Sequence, residues 1–142
     1  MKKSSNASIR YKIYEDRNLL VDILEKEIAL ADLKRLFLSE ISDEKINTVT
    51  KILSNVILAK PLVTLEEMQH YVTLVESEKH DSNLRWAILT DEPFQTAFSM
   101  LIKEAPSFAN TVGVFTTLEA CTHFLDINFE ETEFSDSDYK IV

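Results

Sequence analysis

Glycine is nearly missing from this chain: Gly113 stands alone in 142 residues, beside three prolines. A Walker-type phosphate loop and a dinucleotide fingerprint each need several glycines for tight turns and close backbone approach, so both are excluded. Cysteine is equally scarce. Cys121 has no second cysteine to pair with, which rules out an internal disulfide framework and points to a reducing compartment. No window approaches the ~20 apolar residues that a membrane-spanning helix requires. Met1-Lys2-Lys3-Ser4-Ser5-Asn6-Ala7-Ser8 has the basic start of a signal peptide, but Arg10, Lys12, Glu15, Asp16 and Arg17 interrupt any apolar stretch behind it. A cytoplasmic protein without stable membrane insertion is the expectation.

Positive charge is the other shortage. Fifteen Lys and Arg face 24 Asp and Glu, giving a net charge of −9 and a pI near 4.8. Nucleic-acid affinity comes mainly from cations on phosphates, so nucleic acid is excluded as a partner, and an anionic membrane surface with it. The acidity is concentrated after Asn128, where Glu130, Glu131, Glu133, Asp136 and Asp138 meet only Lys140. Such a run reads as a solvated, mobile terminus. Phe129 and Phe134 inside it read equally as anchors onto the domain or onto a partner.

What is present is the material of one α/β domain. Hydrophobic residues make up 45% of a chain whose length suits a single core. Ile9, Tyr11 and Ile13 alternate with Arg10, Lys12 and Tyr14, which predicts a half-buried strand. After Glu15-Asp16-Arg17-Asn18, Leu19 to Leu24 form a second strand, and the short connection makes the pair an antiparallel hairpin. Leu30, Leu33, Leu36 and Phe37 recur at helical spacing up to about Ser39. A β-rich stretch from Asn47 to Leu58 carries Lys51, Ser54 and Asn55, which places its fringe near solvent, and Pro61 stops it. Thr64 with Glu67 forms a capping box for a helix to about Lys79, with Leu65, Met68, Val72 and Val75 as its stripe.

The second half repeats the alternation. Trp86-Ala87-Ile88-Leu89 reads as a strand covered on both sides. Asp91-Glu92-Pro93 opens a helix with Phe94, Ala97, Phe98, Leu101 and Ile102 on one face, closed by Pro106. Val112-Gly113-Val114-Phe115 is a further strand, and Thr116 with Glu119 forms a second capping box before Leu118, Cys121 and Leu125. The order is β-β-α-β-α-β-α-β-α: a mixed, mostly parallel five-stranded sheet with about four helices, the first strand antiparallel. The segmentation is a disordered stretch 1–8, one domain over 9–127 and an acidic tail over 128–142.

This order and several of its words resemble the SpoIIAA-like group, which takes in STAS domains and bacterial STAS/SEC14-like proteins. The words are Asn18-Leu19-Leu20, Ile28-Ala29-Leu30-Ala31-Asp32-Leu33, Arg85-Trp86-Ala87-Ile88-Leu89-Thr90-Asp91, and Thr111-Val112-Gly113-Val114-Phe115-Thr116-Thr117-Leu118-Glu119-Ala120-Cys121 with Phe124-Leu125. The resemblance implies a SpoIIAA-like (STAS) fold and a non-enzymatic regulatory module that contacts a protein partner. Several such domains are switched by phosphorylation of a serine in an Asp-Ser-Ser-Gly-type turn after the third strand. Here that turn reads Leu58-Ala59-Lys60-Pro61-Leu62-Val63-Thr64, without the Asp-Ser pair or the glycine, and Thr64 is the nearest hydroxyl. The SEC14 side of the resemblance implies a lipid-like or other apolar ligand.

The residues themselves offer little chemistry. His70, His80 and His123 never stand at the spacing of a helical zinc pair, and Cys121 and His123 point in different directions on one helix, so no metal or cofactor is expected. There is no nucleophile elbow, and Cys121 lies on an apolar stripe, where a thiol is inert. Two candidate sites stand out. Ligands of open α/β sheets bind at the carboxyl ends of strands, where Lys60, Thr64, Thr90, Asp91 and Thr116 form a rim suited to a protein partner, a second copy of the chain included. Each of its hydroxyls and acids is equally explained as a helix cap. A gap between helices lined by Met68, Phe94, Phe98 and Met100 would instead hold an apolar ligand.

Overall fold

The computed structural model describes residues 6–78, 84–91, 93–105, 108 and 111–142, and for 93–98 the backbone alone. β1 (Ser8–Tyr14) and β2 (Leu19–Ile28) form the expected antiparallel hairpin, in register from Tyr14 opposite Leu19 to Ser8 opposite Glu25. Its turn closes on Asn18 at a left-handed φ of 52°, which asparagine tolerates better than most residues. β2 is covered on both faces, so every residue from Leu19 to Leu24 is buried, Asp22 among them. At Lys26, φ is 68°. There β2 leaves β3 (Lys51–Asn55), its parallel neighbour, and pairs instead with the short parallel strand β4 (Ala59–Pro61).

The full sheet runs β6-β5-β3-β2-β1-β7, with β5 at Arg85–Leu89, β6 at Val112–Phe115 and β7 at Lys140–Ile141. Pairing is parallel from β2 to β6 and antiparallel at β1 and β7. Among the described residues seven strands therefore replace the expected five. β4 escaped because Pro61 reads as a stop, although proline is tolerated on a strand with a free edge. β7 is too short to carry an alternating pattern.

α1 (Leu30–Ile41), α2 (Leu65–Ser77) and α3 (Pro93–Glu104) cover one face of the sheet, and α4 (Leu118–Leu125) covers the other. Beneath α4, Leu19, Val21, Ile23, Leu53, Ala87 and Leu89 pack against Cys121 and Leu125. Burial pushes the Cys121 thiol up to about 12, as befits an inert core residue. The Thr64–Glu67 capping box forms as expected, with Glu67 N–H donating to Thr64 Oγ1 at 3.1 Å and Thr64 N–H to Glu67 Oε1 at 2.9 Å. The second box does not. Thr116 only connects β6 to the helix, and it is the extended Thr117 whose hydroxyl accepts from Ala120 N–H at 3.1 Å. Glu92, Pro106 and His80, named above as cap, stop and histidine, lie outside the described residues.

The acidic segment is not a solvated tail. Phe129 is buried in the core beneath α4, with Phe134 packed beside it, and β7 extends the sheet by pairing with β1. Three of the segment's acids meet cations: Glu133 meets Arg17 at 2.9 Å, and Asp136 and Asp138 meet Lys12 at 3.7 and 3.9 Å. Aromatic burial and ion pairing outweigh the self-repulsion that the composition suggests.

Candidate functional site

Alternation along β2 turns Leu20, Asp22 and Leu24 toward the face that carries α1, α2 and α3. An aspartate there sits among aliphatic side chains, 4% exposed. Parallel register sets Ser54 of β3 directly beside it, and Trp86 of β5 lies on the next diagonal of the same face. The indole N–H of Trp86 donates to Ser54 Oγ at 2.9 Å, and Ser54 in turn hydrogen-bonds Asp22. From above, α1 presents Asp32, Leu36 and Glu40 along one line at four-residue spacing. Asp32 reaches back to the N–H of Ala29 at 2.8 Å and so fixes the start of the helix. Glu40, at the far end, lies 9% exposed against Asp22.

Asp22, Leu36, Glu40, Ser54 and Trp86 line a cavity of about 540 Å³ between the sheet and the three helices. Most of its wall is aliphatic or aromatic, and Asp22, Glu40, Ser54, Tyr71 and Ser99 supply the buried polar atoms. Among the described residues, no lysine, arginine or histidine reaches the wall. Burial raises the Asp22 carboxyl above its usual range, opposed by hydrogen bonds from Glu40 and Ser54. Glu40 is pushed further, by burial and then by the negative charge of Asp22. Burial and the same two acids raise the Tyr71 hydroxyl. Asp22 Oδ1 and Glu40 Oε2 have no conventional donor. The two carboxyls titrate as a pair, and ionising one raises the other.

The predicted residues distribute unevenly around this centre. Met68 lines the cavity. Met100 does not, because α3 turns Ser99 and Ile102 toward it instead, and the side chains of Phe94 and Phe98 lie outside the described residues. At the strand-end rim Lys60, Thr64, Asp91 and Thr116 are exposed. Thr90 is fully buried, so its place in that rim is corrected: the strand end is sealed where its N–H donates to Phe115 O at 2.9 Å. At the opposite ends of the strands an open depression contains Lys51 and Arg85, but both donate to the last carbonyls of α4, Asp126 O at 3.3 Å and Phe124 O at 2.8 Å.

The carboxyl pair had a signal in the sequence. Asp22 interrupts the apolar face of an alternating strand, and extending the α1 stripe one turn past Leu36 lands on Glu40. Ser54, read above as part of a solvent fringe, is 4% exposed, because β3 lies inside the sheet with both edges paired.

No family model matches the chain, and no curated protein matches it. Among solved structures it is similar to an uncharacterized protein from the DUF3478 family of Shewanella loihica PV-4, described as having a SpoIIAA-like fold. The two superpose with a TM-score of 0.60 at 13% identity, over 88% of this chain and 99% of that one. The chain has a SpoIIAA-like fold. In it, the strands that carry Asp22, Ser54 and Trp86 are adjacent members of the parallel sheet, so the fold itself brings the cavity floor together.

Proposed function

We propose that this SpoIIAA-like domain binds a small, predominantly apolar molecule between its sheet and helices α1, α2 and α3. The observation that carries the reading is the cavity itself. Interiors are packed like organic crystals, and a void of about 540 Å³ left empty would forfeit the contacts of every side chain on its wall. That volume falls in the range of small-molecule sites, as does an apolar wall with a few buried polar groups. The test is calorimetric titration with octanol, alongside a Val56→Phe variant that fills space at the cavity wall. Binding of one equivalent by the wild type, lost in Val56→Phe, is the expected result. A wild-type protein that takes up neither octanol nor a charged analogue of the same chain length removes the reading.

A second reading, contact with a protein partner at the strand-end rim, is favoured by exposed Leu58, Leu62 and Leu65 alongside Lys60 and Thr64 in the chain. Its first test takes a second copy as the partner. Sedimentation of the wild type and of Lys60→Glu/Leu62→Ser should show a dimer only in the wild type; monomers in both remove self-association.

A further inference from the structure

We propose that the Asp22–Glu40 pair selects the ligand of this cavity, and that the ligand is an apolar molecule bearing one ammonium group. The proposal rests on the cavity-binding reading and narrows it to a chemical class.

Both carboxyls are more than nine-tenths buried, and both face the same cavity. Hydrogen bonding accounts for the support of Asp22 by Ser54, itself held by Trp86. It does not supply a countercharge. The nearest comparison within the molecule is Asp43, a buried acid that takes the ammonium of Lys140 at 2.6 Å and a hydrogen bond from Tyr11 at 2.8 Å. Among the described residues no such cation meets Asp22 and Glu40, because none lines the cavity wall. A single buried charge without a counterion is costly in a low-dielectric setting, and that cost is relieved by whatever cation enters.

An inorganic cation does not suit a wall of Leu, Ile, Val and Phe side chains. An ammonium on an apolar body does: its N–H groups donate to the carboxyl oxygens while the body fills the space under α1 and α2. Tyr71 and Trp86, both on the wall, add ring faces of the kind that attract ammonium groups. A carboxylate ligand adds a third acid to the pair, and an alcohol supplies no countercharge when one of the two ionises.

The test compares octylammonium, octanol and octanoate by calorimetry at neutral pH, on the wild type and on Asp22→Asn/Glu40→Gln. The expected order in the wild type is octylammonium tighter than octanol by at least about tenfold, with octanoate weakest. In the double variant the preference for the amine should shrink to within about threefold while octanol still binds. Asp22→Asn alone serves where the double variant folds poorly, since a lone buried Glu40 stays protonated and neutral. Equal binding of amine and alcohol by the wild type, or a preference for octanoate, overturns the amine assignment and leaves the cavity reading standing. Failure of all three to bind removes the cavity reading, and the amine assignment with it.

Discussion

Glu40 of α1 lies against Asp22 of β2 across the gap between helix and sheet, and burial together with the charge of Asp22 pushes the Glu40 carboxyl well up. The contact links two segments that the sequence keeps apart, and it makes the stability of the fold depend on the charge of the cavity.

The sign of that dependence follows from the raised pKa of Glu40. In the unfolded chain a glutamate ionises near its ordinary value of about 4.3. Above that pH the folded protein still holds the proton that the unfolded chain has released, so stability is greatest below this value and falls as pH rises toward the folded pKa. Urea midpoints should therefore decline from mildly acidic to mildly alkaline pH. Asp22→Asn keeps an acceptor for Ser54 and removes the charge of Asp22, so it should lessen the decline, leaving the part that burial of Glu40 causes, and stabilise the protein by on the order of 1 kcal/mol at the alkaline end. A wild-type profile that is level over this range would show that Glu40 titrates normally.

Asp43 should show the opposite trend. Burial alone would raise it, but the Lys140 ammonium, the N–H of Lys45 and the Tyr11 hydroxyl together hold the carboxyl down to about 2. Its contribution is present above the ordinary aspartate range and is lost as pH falls through about 2. Lys140→Met removes the largest of these supports from β7. Acid unfolding of that variant, followed by circular dichroism, should begin at a higher pH than in the wild type; coincident curves would mean that the ion pair contributes nothing.

Arg17 fastens the C-terminal segment. Its guanidinium donates to Asn128 O at 2.7 Å and Glu133 Oε2 at 2.9 Å, and it stacks 4.5 Å from the centre of the Tyr14 ring. The Tyr14 hydroxyl donates onward to Asp136 at 2.9 Å. Arg17→Ala should cost about 1–3 kcal/mol, and Arg17→Lys should recover little, because a single ammonium cannot reproduce the planar fork and the stacking. Hydrogen exchange supplies the local readout. The Val142 amide, bonded to Ile9 O at 3.0 Å, should lose protection in Arg17→Ala well before the amides of β2. Equal protection in both proteins would place the fastening elsewhere.

The elements were legible in the sequence where a pattern was long enough to repeat. The β1–β2 hairpin, the capping box of Thr64 and the strand at Trp86 to Leu89, buried from Ala87 on, all follow from local periodicity and cap chemistry, and the SpoIIAA-like order follows from their succession. The cavity was not legible, because its floor is set by register: Asp22 meets Ser54 only once β2 and β3 pair in parallel. The packing of the acidic segment was hidden for a similar reason. Phe129 and Glu133 find Tyr14 and Arg17 across more than a hundred residues of chain, and composition records charge but not the partner that neutralises it.

The scarcity of glycine can itself be tested, because the chain places its one glycine where space rather than backbone geometry demands it. Among the described residues Asn18, Lys26 and Asp126 take the positive φ values, while Gly113 does not. A Cβ on Gly113 would stand 2.5 Å from Cε2 of Phe115 and 3.3 Å from Cζ of Phe124, two rings packed with their centres 5.2 Å apart under α4. Gly113→Ala should therefore destabilise by about 1–3 kcal/mol, although alanine is ordinarily the better residue in a strand. Lys26 is the converse case. Its exposed side chain sits on a backbone that costs a non-glycine residue roughly 1–2 kcal/mol. Lys26→Gly should leave stability unchanged or raise it, the gain in backbone comfort offsetting the entropy of a freer unfolded chain. Urea denaturation of the two variants decides between geometry and space: a harmless Gly113→Ala together with a damaging Lys26→Gly would reverse both assignments.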